Sequence, residues 1–187
     1  MGNADGMSRR GNKSDYYLTP PMCIHALLEN HAIDKNARIL DPCCGAGIIG
    51  SVLRDHGYHN IVEEDILSGN DFLKKNYDDC FDLVISNPPY SLKNQFIKKG
   101  LLEAKEVIYI LPANVINYNE FQENFLDVPW YKGRYLMRPK FFMADNYNNN
   151  LPRRGGISSY AWFIWDTNNG LSGKSWERYI SLEKYFN

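Results

Sequence analysis

The chain lacks any run near the roughly 18 consecutive apolar residues that a membrane-crossing helix needs, and nothing hydrophobic follows Met1. The expectation is a cytoplasmic protein, neither membrane-bound nor secreted. Cysteine is scarce: four among 187 residues, at positions 23, 43, 44 and 80, with no Cys-x-x-Cys pair and no histidine at ligand spacing. No metal site is expected, and free thiols in a reducing compartment follow, since adjacent Cys43 and Cys44 cannot easily bridge each other. His25, His31, His56 and His59 form no pattern that suggests catalysis. An excess of either charge is missing too. Lys and Arg number 21 against 22 Asp and Glu, a net charge of −1, so any hold on nucleic acid must come from a local patch and not from the whole surface. No internal repeat is visible, and the length suits one compact catalytic domain with a substantial core.

What is present concentrates in two motifs. Asn87-Pro88-Pro89-Tyr90 follows the apolar run Phe81-Asp82-Leu83-Val84-Ile85-Ser86, where a buried strand ends. The prolines fix their own φ and restrict the residues before them, so Asn87 is held extended. The tetrapeptide thus offers a carboxamide, a rigid carbonyl and a flat aromatic face. The bland alternative is a strand-to-helix turn that happens to contain two prolines. About forty residues upstream, Ala37-Arg38-Ile39-Leu40 reads as a strand entering Asp41-Pro42-Cys43-Cys44-Gly45-Ala46-Gly47-Ile48-Ile49-Gly50. Gly45 and Gly47 allow a tight turn with close ligand approach, and the helix after them presents its N-terminal amides. Gly45, Gly47 and Gly50 also satisfy the dinucleotide fingerprint, with Asp65 where a ribose-binding acid belongs, so a nicotinamide-dependent oxidoreductase stays open on spacing alone. Asp41 at the strand end suits the ammonium of an amino-acid-bearing cofactor better. Pro42-Cys43 resembles the nucleophilic dipeptide of cytosine-C5 methylation, but it sits in the glycine loop and not at the second strand end.

The remaining pattern predicts a helix over about 21–31 burying Met22, Ile24, Leu27 and Leu28, strands near 37–41, 60–65, 81–86 and 106–111, and helices near 48–56 and 92–104 between them. Alternation of this kind is an α/β, doubly wound, mostly parallel sheet. A further helix near 114–126 and antiparallel edge strands at 160–165 and 176–181 complete it. Residues 1–14 read as a disordered polar tail, 15–187 as the single domain, 127–158 as a substrate-binding insertion and 146–156 as a mobile loop within it. That insertion carries Lys132, Arg134, Arg138, Lys140, Arg153 and Arg154 against only Asp127 and Asp145, with aromatics interleaved. This composition suits gripping phosphates and stacking bases, or else a solvated face beside a core hairpin.

Together, the Asp-Pro-x-x-Gly-x-Gly loop followed by Asn-Pro-Pro-Tyr resembles S-adenosylmethionine-dependent amino-methyltransferases that modify adenine in DNA. The aromatic run Ser159-Tyr160-Ala161-Trp162-Phe163-Ile164-Trp165 resembles a late strand of their phage and mobile-element members. The resemblance covers roughly residues 15 to 166. It implies a Rossmann-like class I methyltransferase fold, with S-adenosyl-L-methionine held by Thr19, Pro20, Asp41, Pro42, Cys43, Gly45, Gly47, Asp65, Asp71, Phe72 and Asn87. Glu63 and Glu64 compete with Asp65 for the ribose. Asn87, Pro88, Pro89 and Tyr90 become the catalytic group. The Asn87 oxygen and Pro88 carbonyl accept the two N–H bonds of the adenine amino group, which localises its lone pair for attack; one such contact is typically worth about 3–4 kcal/mol. A base flipped from a duplex costs a few kcal/mol, which a stack on Tyr90 of roughly 1–3 kcal/mol partly offsets. The partner implied is nucleic acid, DNA first, with RNA or a protein glutamine as alternatives served by the same motif.

Overall fold

The computed structural model describes residues 17–78, 80–141, 158–168 and 175–186. The expected tail at 1–14 and the loop at 146–156, with Arg153 and Arg154, lie outside these residues. Seven strands form one sheet: β1 Ile39–Asp41, β2 Ile61–Glu63, β3 Phe81–Ser86, β4 Ala104–Pro112, β5 Tyr131–Arg138, β6 Tyr160–Asp166 and β7 Trp176–Ser181, in the spatial order β2-β1-β3-β4-β6-β5-β7. β1 pairs in parallel with both β2 and β3, and β3 with β4. β6 alone runs the other way, antiparallel to β4 and β5, while β7 returns parallel to β5.

Strand alternation sends neighbouring residues of β4 into different cores. Ile108 and Ile110 join α1 (Pro21–Asn30) and α2 (Ile48–Asp55) on one face; Val107, Tyr109 and Leu111 join α3 (Lys93–Glu103) and the turns after β4 on the other. β6 ties the faces to the sheet with two fully buried tryptophans. The indole of Trp162 donates to the Cys23 carbonyl in α1 at 3.0 Å, and that of Trp165 to the Phe125 carbonyl on the opposite face at 2.7 Å. Each large side chain so buried contributes about 1.5–3 kcal/mol from area alone, and the paired N–H groups avoid the penalty of a buried orphan donor.

Several expectations need correction. The predicted helix at 114–126 breaks into a 3-10 turn at Ala113–Asn117, one α turn at Asn119–Phe121 and a π turn at Gln122–Leu126. Four asparagines in this span compete with the helix for backbone partners; the Asn124 and Gln122 side chains indeed donate to the carbonyls of Glu120 and Ile116. Residues 160–165 are an interior strand, and 176–181 form the edge in parallel, not antiparallel, pairing. The stretch 127–158 begins with β5, a strand inside the sheet between β6 and β7. Its basic residues and glycine mask the alternation that sends Tyr135 and Met137 into one core and Leu136 into the other. Leu28 is only partly buried.

Gly50 in α2 faces the end of β2. A Cβ there stands 2.1 Å from Glu63 Oε1, and Glu63 is itself ion-paired with Arg54 one turn along. The atoms met are all at the flexible end of the Glu63 side chain, which can swing aside by giving up Arg54, so Gly50→Ala is expected to destabilise the protein by at most about 1 kcal/mol. In a Glu63→Ala background the same change should stabilise by up to about 1 kcal/mol, the ordinary helix preference for alanine. Urea titration of the four proteins checks the reversal of sign.

Candidate active site

β1 connects to β2 on one side and the chain then returns to β3 on the other, so the carboxyl ends of β1 and β3 flank the point where the connections diverge. Open α/β sheets bind ligands there. Asp41 is the last residue of β1, and Asn87 follows the last residue of β3.

Asn87 Nδ2 donates to the Tyr17 carbonyl at 2.8 Å. A carbonyl can only accept, so this contact fixes which end of the carboxamide is nitrogen. The other end, Oδ1, is buried and has no protein partner. Pro88 is buried, and Pro89 (φ −54°, ψ 123°) starts the 3-10 turn Tyr90–Leu92 that leads into α3. The Tyr90 ring stacks on that of Tyr17 (centroids 5.7 Å apart, 16° between planes) and meets Tyr160 at 6.3 Å, which in turn meets Phe141 at 5.5 Å. Tyr17 is a residue that the motif search passed over. No spacing rule marks it, since the contact joins residues 70 positions apart.

Asp41 is fully buried. Its Oδ1 accepts from Ser86 Oγ at 2.5 Å and, more distantly, from the Cys43 amide at 3.4 Å, whereas Oδ2 has no partner. Burial pushes its carboxyl up from 3.8 to about 7, with the charges of Glu63 and Asp65 adding to the rise and the Ser86 and Cys43 bonds opposing it. An orphaned carboxylate oxygen at the end of β1 fits a cationic ligand group. Gly47, at φ 72°, occupies the left-handed conformation that lets the loop turn into α2.

The three competing acids separate cleanly. Glu64 is buried with its oxygens engaged by Lys75 and by the Tyr77 hydroxyl (2.6 Å). Glu63 lies between β2 and α2 against Gly47 and Gly50. Among the described hydrogen bonds, Asp65 is the one of the three carboxylates that accepts from a glycine-loop amide, that of Gly45 at 3.0 Å, and it also accepts from the Leu67 amide at 2.9 Å, with lone pairs left for a hydroxyl. With the ribose held by Asp65, as the resemblance implies, Asp65→Ala is expected to weaken cofactor binding about tenfold, one charge-assisted bond, and to cost about 1 kcal/mol of stability through the lost Gly45 and Leu67 bonds. Glu64→Ala should lower the melting temperature while leaving affinity nearly unchanged. Calorimetric titration beside thermal unfolding separates the two.

A small cleft of about 50 Å³ opens beside these groups, lined by Pro42, Cys43, Asp71, Phe72 and Pro89 among others. Ile66, Asn70, Leu92 and Phe96 also border it and are not evident from the motifs. The Asp71 carboxylate accepts from the Leu73 amide at 3.1 Å and pairs with Lys74, while Phe72 is anchored in the core beside Phe96. Thr19 and Pro20 are buried just ahead of α1. Burial raises the Cys43 thiol well above its usual range and that of Cys44 to about 11, so both stay protonated at neutral pH.

Among the described residues, the basic candidates do not all gather at this site. β5 runs toward the site edge, so Lys132 lies at the opposite end of the sheet. Arg134 is ion-paired with Glu177 and donates to the Ala113 carbonyl at 3.0 Å. Arg138, stacked over Tyr179 at 4.3 Å, and Lys140 are exposed at the site edge.

No protein-family model matches the chain, and no curated protein matches it by sequence. Solved structures do match. A protein described as a class I S-adenosylmethionine-dependent methyltransferase from Listeria monocytogenes superposes with a TM-score of 0.60 at 14% identity, over 94% of this chain and 69% of that one. The fold is that of the class I methyltransferases. A modification subunit of a type I restriction enzyme from Vibrio vulnificus matches at TM-score 0.60 and 13% identity, over 89% of this chain and 47% of its own. A protein described as an RNA methyltransferase from Pyrococcus horikoshii matches at 0.56 and 15%, over 82% and 87% respectively. The chain thus spans less than half of the Vibrio restriction subunit. Among the described residues, no helix is long and apolar enough to cross a membrane.

Proposed function

We propose that this protein transfers the methyl group of S-adenosyl-L-methionine to the exocyclic amino group of adenine in DNA. The observation that carries the reading is the Asn87 carboxamide: its nitrogen is tied to Tyr17, and its oxygen is a buried acceptor without a partner. A buried acceptor left unmet costs about 1–3 kcal/mol, so it favours any ligand that brings an N–H to it.

When bound, S-adenosyl-L-methionine supplies an electrophilic methyl on sulfur. Asp41 Oδ2 would receive its ammonium, Asp65 its ribose hydroxyls, and the cleft between Asp71-Phe72 and Pro89 its adenine. Asn87 Oδ1 and the Pro88 carbonyl would each accept one N–H of the target amine, which directs the nitrogen lone pair; the proton leaves after transfer, so no strong base is required. Tyr90 supplies the stacking face, and reaching it requires the target ring to share or replace the Tyr17 stack. Arg138 and Lys140, at the same sheet edge, are the described basic residues placed to meet a phosphate backbone, with Arg153 and Arg154 as further candidates. The match with a restriction-modification subunit supports DNA as the acceptor, and such a substrate places the enzyme in the cytoplasm. RNA is the second reading, favoured by the match with the Pyrococcus protein.

Incubating the protein with methyl-labelled cofactor and separate pools of DNA, RNA and protein decides among these. The expected product is N6-methyladenine from DNA. Label in RNA nucleosides or in glutamine moves the acceptor while keeping the chemistry. Tight NAD binding with no transfer to any pool overturns the reading in favour of an oxidoreductase.

A further inference from the structure

The ends of β1 and β3 are joined by a line of hydrogen bonds that the methyl-transfer scheme does not use. Ser86 Oγ donates to Asp41 Oδ1 at 2.5 Å; Cys43 Sγ lies 2.9 Å from Ser86 Oγ and 3.5 Å from the Asn87 carbonyl, to which it donates. Ser86 and Asp41 are fully buried. Once a cation on Oδ2 keeps Asp41 ionised, the carboxylate has no proton to give, so the serine hydroxyl donates toward Asp41 and keeps its lone pairs for the thiol, whose single proton lies between Ser86 and the Asn87 carbonyl. The donors therefore run outward from Cys43, to the Asn87 carbonyl on one side and through Ser86 to Asp41 on the other. Hydrogen bonds in such a line polarise one another where the local dielectric is low.

We propose that Ser86 and Cys43 are positioning residues that couple the cofactor carboxylate of Asp41 to the acceptor turn at Asn87, so that filling the cofactor site stiffens the turn before the target arrives. The inference rests on the roles given above to Asp41 and Asn87. A cation on Oδ2 holds the carboxylate ionised and in one orientation, which fixes the Ser86 hydroxyl, then the thiol, then the peptide between Asn87 and Pro88. That peptide carries the carbonyl to which the thiol donates, and it sets the direction of both proposed acceptors. The coupling is directional in use and reciprocal in energy: the target amine should in turn raise affinity for the cofactor by the same factor.

Amide hydrogen exchange on the full chain, with and without saturating S-adenosylhomocysteine, tests this without any transfer reaction. In the wild type, the ligand should slow exchange at Tyr90, Ser91 and Leu92 about tenfold, equivalent to 1.4 kcal/mol of local stabilisation, alongside protection of α2 at the glycine loop. Cys43→Ala and Ser86→Ala, each saturated at its own affinity, should keep the α2 protection and lose the slowing at 90–92. Cys43→Ser and Ser86→Thr, which restore a hydroxyl donor, should recover it. Slowing that persists in Cys43→Ala, or wild-type protection confined to α2, overturns the relay while leaving the cofactor reading intact. A wild type that shows no protection and no calorimetric binding overturns the cofactor reading, and the relay with it. Should Ser86→Ala fail to fold, the Cys43 pair of variants decides alone.

Discussion

Asn87→Ala is expected to lower methyl transfer by about 100- to 1,000-fold, the usual cost of removing one preorganised hydrogen-bonding group from a reacting centre. Cofactor affinity should stay within a few-fold, because the carboxamide is proposed to act on the target amine and its nitrogen is tied to the Tyr17 carbonyl. Asn87→Asp makes a sharper comparison. It keeps an acceptor but presents a carboxylate to the Tyr17 carbonyl, which can no longer receive a proton, so activity should fall while the fold loosens at residues 17–20. Single-turnover rates and cofactor titration on the same preparations check both. Parallel loss of binding and turnover in Asn87→Ala would make the residue a structural support and sink the proposed mechanism.

Asp41 gives the second large effect, and its sign follows from burial. The carboxyl is raised from 3.8 to about 7 in the ligand-free protein, so a large share of it is protonated at neutral pH. A cationic ligand group needs the carboxylate. Affinity should therefore rise as pH passes upward through about 7 and fall below it, approaching tenfold per pH unit. Stability runs the other way. The folded state holds a proton that the unfolded chain releases, so this group's contribution to stability is fully present below 3.8 and lost as pH rises through about 7. Asp41→Asn should remove both dependences at once, weakening cofactor binding about 10- to 100-fold at pH 8 while raising the melting temperature of the free protein by a few degrees. Calorimetry and thermal unfolding between pH 5.5 and 8.5 read the two trends; a flat wild-type affinity profile contradicts the role assigned to Asp41.

The motifs at 41–47 and 87–90 are legible because they are local. Asp41 and Asn87 each sit within a few residues of the strand whose end they mark, and the backbone restrictions of proline and glycine travel with the sequence. The sorting of Glu63, Glu64 and Asp65 is not legible, since it depends on which face of β2 each carboxylate takes and on Arg54, Lys75, Tyr77 and the glycine loop as partners. Tyr17 escapes for the same reason: its carbonyl matters only once the chain has folded back onto Asn87. β5 is hard to see for another reason. In one dimension its basic residues suit a phosphate-gripping surface and a solvated face equally; in the fold Arg134 pairs with Glu177 and Ala113, Arg138 stands at the site edge, and the apolar residues between are core.

β6 lies inside the sheet although it is the sixth strand in sequence. Its two neighbours, β4 and β5, are separated in sequence from it by the loops they anchor, with Pro112 opposite Tyr160 and Glu106 opposite Asp166. On a ribosome the first four strands can pair as they emerge, but the sheet stays open, with one side of β4 bare, until Asp166 has left the exit tunnel. Loop closure over such separations is slow, and folding on the millisecond-to-second scale is expected in place of the microseconds of a helical bundle. A nascent chain paused before Trp162 exposes the apolar β4 edge before either of the tryptophans that would cover it has been made, which makes the interval before β6 emerges a period of aggregation risk.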